Sequence, residues 1–295
     1  YGETVELSQR MSDVPPPAPA KRVALPESIE PEKPKPTYQL PGPTEAAKKE
    51  QKRSQGLYFQ DYIKRRKKEH PSSERIQKLH IETVKRNIDR ATKRWAKQAN
   101  SFIRVKKETL SKILKEGRFK SQHETNTSGG SLSPQYRRKV ENEMFSYPMS
   151  LKAEKRPIYG YATKSKFGWT ADYLDPDTKY DSVSMYGQIR VKLKKSTRER
   201  TTVTFGDSLG ATSSYLPTPL NNPTHESHPL YNTSDMEKAM SDKPGEGYVE
   251  LQVHGGVSLD DIERVYFPDR LWVNPDKWEK LKKLLKEKGI QWTMD

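Results

Sequence analysis

The feature that most constrains this chain is a change of period partway along it. Up to Glu116 the apolar residues recur every three or four positions, whereas from Arg156 onward they alternate with polar ones in short runs. The first spacing buries one stripe of a helix, and the second buries one face of a sheet. Helices followed by strands, rather than interleaved with them, predict an α+β fold with a mixed or antiparallel sheet. Only 32% of the 295 residues are apolar, and the 22 prolines gather in the first third and in the loops, so only part of the chain builds a core.

Three segments are expected. Residues 1–50 read as a tether. Pro15-Pro16-Pro17-Ala18-Pro19 and Pro31-Glu32-Lys33-Pro34-Lys35-Pro36 cannot sustain helix or ladder, because proline fixes φ and lacks the amide donor. Residues 51–107 read as a basic helical segment. Ile76, Leu79, Val84, Ile88, Ala91, Trp95, Ala99 and Phe102 form one stripe on a long helix that starts after Pro71. Lys64-Arg65-Arg66-Lys67-Lys68 precedes it, and the helix is either a cap on the next domain or a binding arm.

Residues 108–295 read as the main domain. A second amphipathic helix over 109–116 stops at Gly117, a third runs over 135–145, and Asn274-Pro275 open a last one whose apolar face is Trp278, Leu281, Leu284 and Leu285. Residues 158–161, 187–193 and 201–205 read as strands, and 210–244 as an irregular loop. The most informative strand is the last. Val249, Leu251 and Val253 alternate with Glu250, Gln252 and His254, so a carboxylate, an amide and an imidazole line one face before Gly255-Gly256 stops the run. That polar face reads as solvent-exposed, with Gln252 and His254 as ordinary surface positions.

The absence of Cys excludes a disulfide framework, a thiol nucleophile and Cys-ligated zinc. No window approaches ~18 apolar residues, so no membrane span is expected. His225, His228 and His254 could form a zinc site, but acids at ligand spacing are missing, and no metal is expected. The net charge of +15 favours phosphate-bearing or acidic partners, and it also keeps a surface soluble. Tyr in first position leads to the expectation of a longer polypeptide.

A family resemblance rests on several fragments in order. Glu250-Leu-Gln-Val-His-Gly-Gly-Val-Ser-Leu, followed by residues 262–267, resembles the last active-site strand of the ADP-ribosyltransferase superfamily. Arg156-Pro-Ile-Tyr-Gly-Tyr, Tyr186-Gly-Gln-Ile-Arg-Val-Lys-Leu-Lys and Arg200-Thr-Thr-Val-Thr-Phe-Gly-Asp-Ser-Leu look like the middle of its phage-associated members. Those members are C-terminal domains of minor head (MuF-type) proteins and of polymorphic toxins. Leu114-Lys-Glu-Gly-Arg-Phe-Lys-Ser-Gln-His-Glu-Thr resembles their opening strand.

The resemblance implies an ADP-ribosyltransferase-like core with a split sheet, which takes NAD as substrate and passes ADP-ribose to a protein or nucleic-acid acceptor. Glu250 would be the catalytic acid on the nicotinamide ribose. Arg118, on the first strand, would grip the NAD phosphates, with Arg156 as its rival. Ser208, with Thr204 beside it, would stand where the family has its Ser-Thr-Ser strand, although that triplet is not present as such. Tyr248 departs from the Glu or Gln usual two residues before the acid in members that modify protein side chains. Tyr159, Tyr161, Trp169 and Tyr173 are stacking candidates or core. The resemblance further implies an upstream capsid or delivery module, and a toxin-like domain that is virion-associated or delivered into a target-cell cytoplasm. A non-enzymatic basic virion or nucleic-acid-binding protein and an NAD glycohydrolase are the other readings. Glu250→Ala is expected to abolish nicotinamide release while leaving stability within about 1 kcal/mol, as for a surface position.

Overall fold

The computed structural model describes residues 39–69, 74–127, 133–166, 183–206, 208–209, 216–227, 249–268 and 275–294. Of the tether expected over residues 1–50, the part up to residue 38 lies outside the described residues, and Glu45–Glu50 belong to the first helix instead. From Tyr38 onward the chain forms one compact unit. It opens with two long helices, α1 (Glu45–Glu69) and α2 (Glu74–Gln98).

The expected stripe on α2 is only partly realised. Val84, Ile88, Ala91 and Trp95 are buried, but Leu79 is 63% exposed. The helix also ends before Phe102, which belongs to β1 (Asn100–Val105). Ala99 and Phe102 prolong the three-to-four spacing by coincidence, and pairing with two neighbouring strands overrides it. The basic helical segment thus supplies a central strand of the sheet, and the edge-on packing of Trp95 against Phe205 (centroids 5.0 Å apart) ties α2 to the strands.

The helices α3 (Lys107–Glu116), α4 (Gln122–Thr125) and α5 (Pro134–Phe145) follow β1. Leu110, Ile113 and Leu114 form the buried face of α3, and Gly117 ends it at φ 82, a left-handed conformation that glycine adopts without a Cβ clash. The remaining elements are β2 (Ile158–Thr163), β3 (Ile189–Leu193), β4 (Thr201–Phe205), β5 (Thr218–Pro219), β6 (Val249–Val253), β7 (Ile262–Phe267), α6 (Pro275–Glu287) and β8 (Trp292–Met294). The strands make one continuous sheet in the order β5-β4-β6-β2-β1-β3-β7-β8, antiparallel except for the β7–β8 pair. The fold is α+β with a mixed sheet, as expected, but the sheet is hydrogen-bonded from edge to edge rather than split.

Strand alternation sorts the sheet into two unlike faces. One is apolar. Ile103, Val105, Ile189, Val191, Val253, Val265 and Phe267 pack against α3 and against Leu281 and Leu285 of α6, while Val203, Leu251 and Val249 pack against Trp95 and Ala96. Each such side chain contributes about 1.5–3 kcal/mol. The register sets a different series on the other face. Thr204 pairs with Glu250, Glu250 with Tyr161, Tyr161 with Phe102, Arg104 with Arg190, and Arg190 with Tyr266. That face mixes charged and hydroxyl groups with the aromatic cluster of Phe102, Tyr161 and Tyr266, and Thr204, Glu250, Tyr161, Arg104 and Arg190 are all buried.

Candidate active site

β6 sits between β4 and β2, so Glu250 projects from the interior of the sheet with strands on both sides. It is 3% exposed. Ser208 donates its hydroxyl to Oε1 of Glu250, and Nε2 of Gln252 donates to the same oxygen at 2.9 Å. Arg137 of α5 donates to Ser208 Oγ at 3.0 Å and brings a nitrogen to 4.0 Å from Glu250 Oε1. Its guanidinium lies over the Tyr159 ring, 4.2 Å from the centroid. A charged, planar donor is thus held between an aromatic face, a hydroxyl and a carboxylate, in surroundings that exclude water and strengthen each interaction.

The expectation of a solvent-exposed polar face does not hold for this strand. Gln252 and His254 are both fully buried, because α5 and the segment after it lie over the polar face. Gln252 Nε2 also donates to Thr204 Oγ1 at 3.2 Å, and its Oε1 accepts from Thr202 at 2.9 Å. His254 contacts Thr202 Oγ1 through Nε2 at 2.9 Å and the Tyr147 hydroxyl through Nδ1 at 2.7 Å. After it, Gly255 and Gly256 turn the chain at φ 78 and 83. Arg200 fastens that turn, donating to the His254 carbonyl at 2.9 Å and to that of Gly256, and pairing with Asp261 at 2.7 Å.

Of the residues singled out from sequence, Glu250, Thr204 and Ser208 share one network. Arg118 stands apart from it. It follows α3 rather than lying on the first strand, where Arg104 is found instead, and it bridges Ser258. Its guanidinium grips Glu124 at 2.6 and 3.1 Å with 44% of the side chain exposed. Arg156 is fully buried and donates to Glu141 Oε2 at 2.7 Å.

Glu141 is the centre of a second buried cluster. Tyr159 donates to it at 3.0 Å, and His123 Nε2 lies 3.2 Å from both of its oxygens. Burial, with the Glu141 charge adding to it, pushes the Tyr159 hydroxyl well above the usual phenol range. Tyr161 stacks on Phe102 at 5.7 Å, while Trp169, Tyr173, His228 and Tyr248 lie outside the described residues. His225 pairs with Asp89 at 3.0 Å and His254 with Tyr147 and Thr202, so these two histidines serve separate networks. Among the described residues no group of three or more His, Asp or Glu converges as metal ligands would.

Sequence reasoning missed Arg137, Glu141, Tyr147 and Thr202. The available signal was the Arg137–Glu141 spacing of four on a helix whose neighbours Val140, Met144 and Phe145 are apolar, which puts both charges on its buried side.

The imidazole of His254 has a consequence for stability. Burial, with Arg200 nearby adding to it, pushes its pKa from 6.5 down to about 3. The unfolded chain therefore binds more protons than the folded one between those values. This contribution is complete above pH 6.5 and is lost progressively as pH falls towards 3, by at most about 1.4 kcal/mol per pH unit. Urea melts at pH 4, 5, 6 and 7 are expected to show that loss, and His254→Gln is expected to flatten the slope. An equal slope in the variant would mean that the ring is not buried in neutral form.

Fold and cluster together define a class: an α+β protein whose mixed sheet buries an acid held by a hydroxyl, an amide and a guanidinium. No family model matches the chain. It is 29% identical over 231 residues to the Gene 2 protein of Mycobacterium phage D29, covering 72% of this chain and 79% of that protein. To the Gene 2 protein of Mycobacterium phage L5 it is 27% identical over 203 residues, 64% of this chain and 71% of the other. Among solved structures it is similar to Thermosipho africanus DarTG in complex with ADP-ribose, with a TM-score of 0.37 and 12% identity over 66% of this chain and half of that one.

Proposed function

We propose that the chain cleaves NAD at the nicotinamide–ribose bond and transfers ADP-ribose to a macromolecular acceptor, with Glu250 as the charge-stabilising acid. The observation that carries this reading is the buried, hydrogen-bonded carboxylate of Glu250, with the Arg137 guanidinium 4.0 Å away. Departure of nicotinamide leaves positive charge on the ribose, as in glycoside hydrolysis. A carboxylate already fixed in a low-dielectric site stabilises that charge without reorganising. Ser208 and Gln252 hold the carboxylate through Oε1, and an arginine offers the planar, paired donors that suit a pyrophosphate. The resemblance of this strand to the ADP-ribosyltransferase superfamily supports the same chemistry. Similarity to two phage proteins supports a phage-encoded effector.

Three arginines compete for the phosphates: Arg118 and Arg156 through the resemblance, and Arg137 through its place beside Glu250; Arg156 is already spent on Glu141. We assign the role to Arg137. Arg137→Lys is expected to raise the KM for NAD about tenfold, the worth of one charge-assisted contact, and Arg118→Lys to raise it less. The opposite order would return the role to Arg118. The reading as a whole is tested by incubating the purified protein with labelled NAD, alone and with protein, DNA or RNA. Nicotinamide release with label on an acceptor supports transfer. Release without labelled acceptor indicates a glycohydrolase. No release at all leaves a non-enzymatic basic binding protein.

A further inference from the structure

Resting on the role proposed for Glu250, we propose that Tyr147, His254 and Thr202 are positioning residues, forming a directed hydrogen-bond chain that fixes the Gln252 amide so that its NH₂ meets the Glu250 carboxylate. The direction of every link follows from donor and acceptor chemistry. The amide oxygen of Gln252 can only accept, so the Thr202 hydroxyl, 2.9 Å away, donates its single proton there. Thr202 Oγ1 must then accept from His254 Nε2, also at 2.9 Å, which makes His254 the Nε2–H tautomer. Nδ1 of that neutral ring is an acceptor, and the Tyr147 hydroxyl donates to it at 2.7 Å.

The other side of the amide agrees. Thr204 spends its hydroxyl proton on the Gly206 carbonyl at 3.2 Å, so its oxygen can accept from Gln252 Nε2. Turning the amide over would set two acceptor oxygens, those of Gln252 and Glu250, at the 2.9 Å now spanned by a hydrogen bond. The ring fits its part: it is fully buried, Phe145 meets it edge-on at 4.8 Å, and burial holds it neutral well below physiological pH. The chain runs from half-buried Tyr147, beyond the end of α5, across β6 and β4 to the acid.

The experiment combines nitrogen NMR of the His254 imidazole with nicotinamide-release kinetics on three variants. In the wild type the ring is expected neutral and protonated on Nε2 at pH 7. Thr202→Val removes the central link and is expected to lower kcat about tenfold to a hundredfold, the usual range for partners one step behind a working group, with KM for NAD within about threefold. Thr202→Ser keeps the hydroxyl and is expected to restore most of the rate. Tyr147→Phe takes the donor from Nδ1, so the tautomer is expected to shift towards Nδ1–H as kcat falls. This variant alters only a half-buried hydroxyl, and it decides the matter should Thr202→Val fail to fold.

An Nδ1–H or charged ring in the wild type, an unchanged kcat in folded Thr202→Val, or a rise in KM alone would overturn the proposal. If the wild type releases no nicotinamide, it is the reading of Glu250 that fails. The imidazole signals then decide the hydrogen-bond chain by themselves, Nε2–H upholding it and Nδ1–H refuting it.

Discussion

Glu250→Gln is expected to give a folded protein that releases nicotinamide about a hundredfold to a thousandfold more slowly than the wild type. The substituted amide keeps the length of the side chain, and its oxygen can still accept from Ser208 and Gln252, so the scaffold around it has little reason to move. What it loses is the negative charge that would face the developing sugar cation. Glutamine is a cleaner test than alanine here, because the site is buried. Glu250→Ala would strand two donors and leave the Arg137 guanidinium facing an empty space, at a cost of about 3 kcal/mol rather than the 1 kcal/mol of a surface position. Initial rates of nicotinamide release, read beside a thermal melt of each variant, separate the two effects. Turnover in Glu250→Gln within tenfold of the wild type would end the assignment of this acid.

The contrast between surface and interior shows where sequence reasoning succeeds and where it stops. Alternation in 249–253 correctly marks a strand and correctly puts Glu250, Gln252 and His254 on one face. It cannot tell whether a polar face meets water or another layer, because polarity only says that the side chains need hydrogen-bond partners. Here the partners are one another, together with Ser208, Thr202, Thr204 and Arg137. Burial of that face is decided by α5, which lies more than a hundred residues earlier in the chain. β1 shows the converse failure. Local spacing let the α2 stripe run on through Ala99 to Phe102, while pairing with β2 and β3 makes the segment a strand. The first strand therefore carries Arg104, whereas Arg118 follows α3.

Glu141→Ala is expected to be the most destabilising single change near the site, by about 3–5 kcal/mol, or roughly 10 °C in melting temperature for a domain of this size. Glu141 is fully buried, as is Arg156, which donates to it at 2.7 Å. Taking away the acid leaves a guanidinium in the interior with its countercharge gone, and the Tyr159 hydroxyl and His123 lose their partner as well. The cost lies in desolvation of the stranded charge rather than in the ion pair itself, so removing both ends should be milder than removing one. The double variant Glu141→Ala with Arg156→Met is therefore expected to recover part of the loss, a coupling that a double-mutant cycle by urea melts would measure. Additive losses would mean that water reaches Arg156 in the folded state. Activity should follow stability only partly, because Tyr159 also supports the Arg137 guanidinium at 4.2 Å, and Arg137 in turn touches Ser208. A folded Glu141→Ala protein with depressed turnover and an ordinary KM would show that this second cluster holds the first in place.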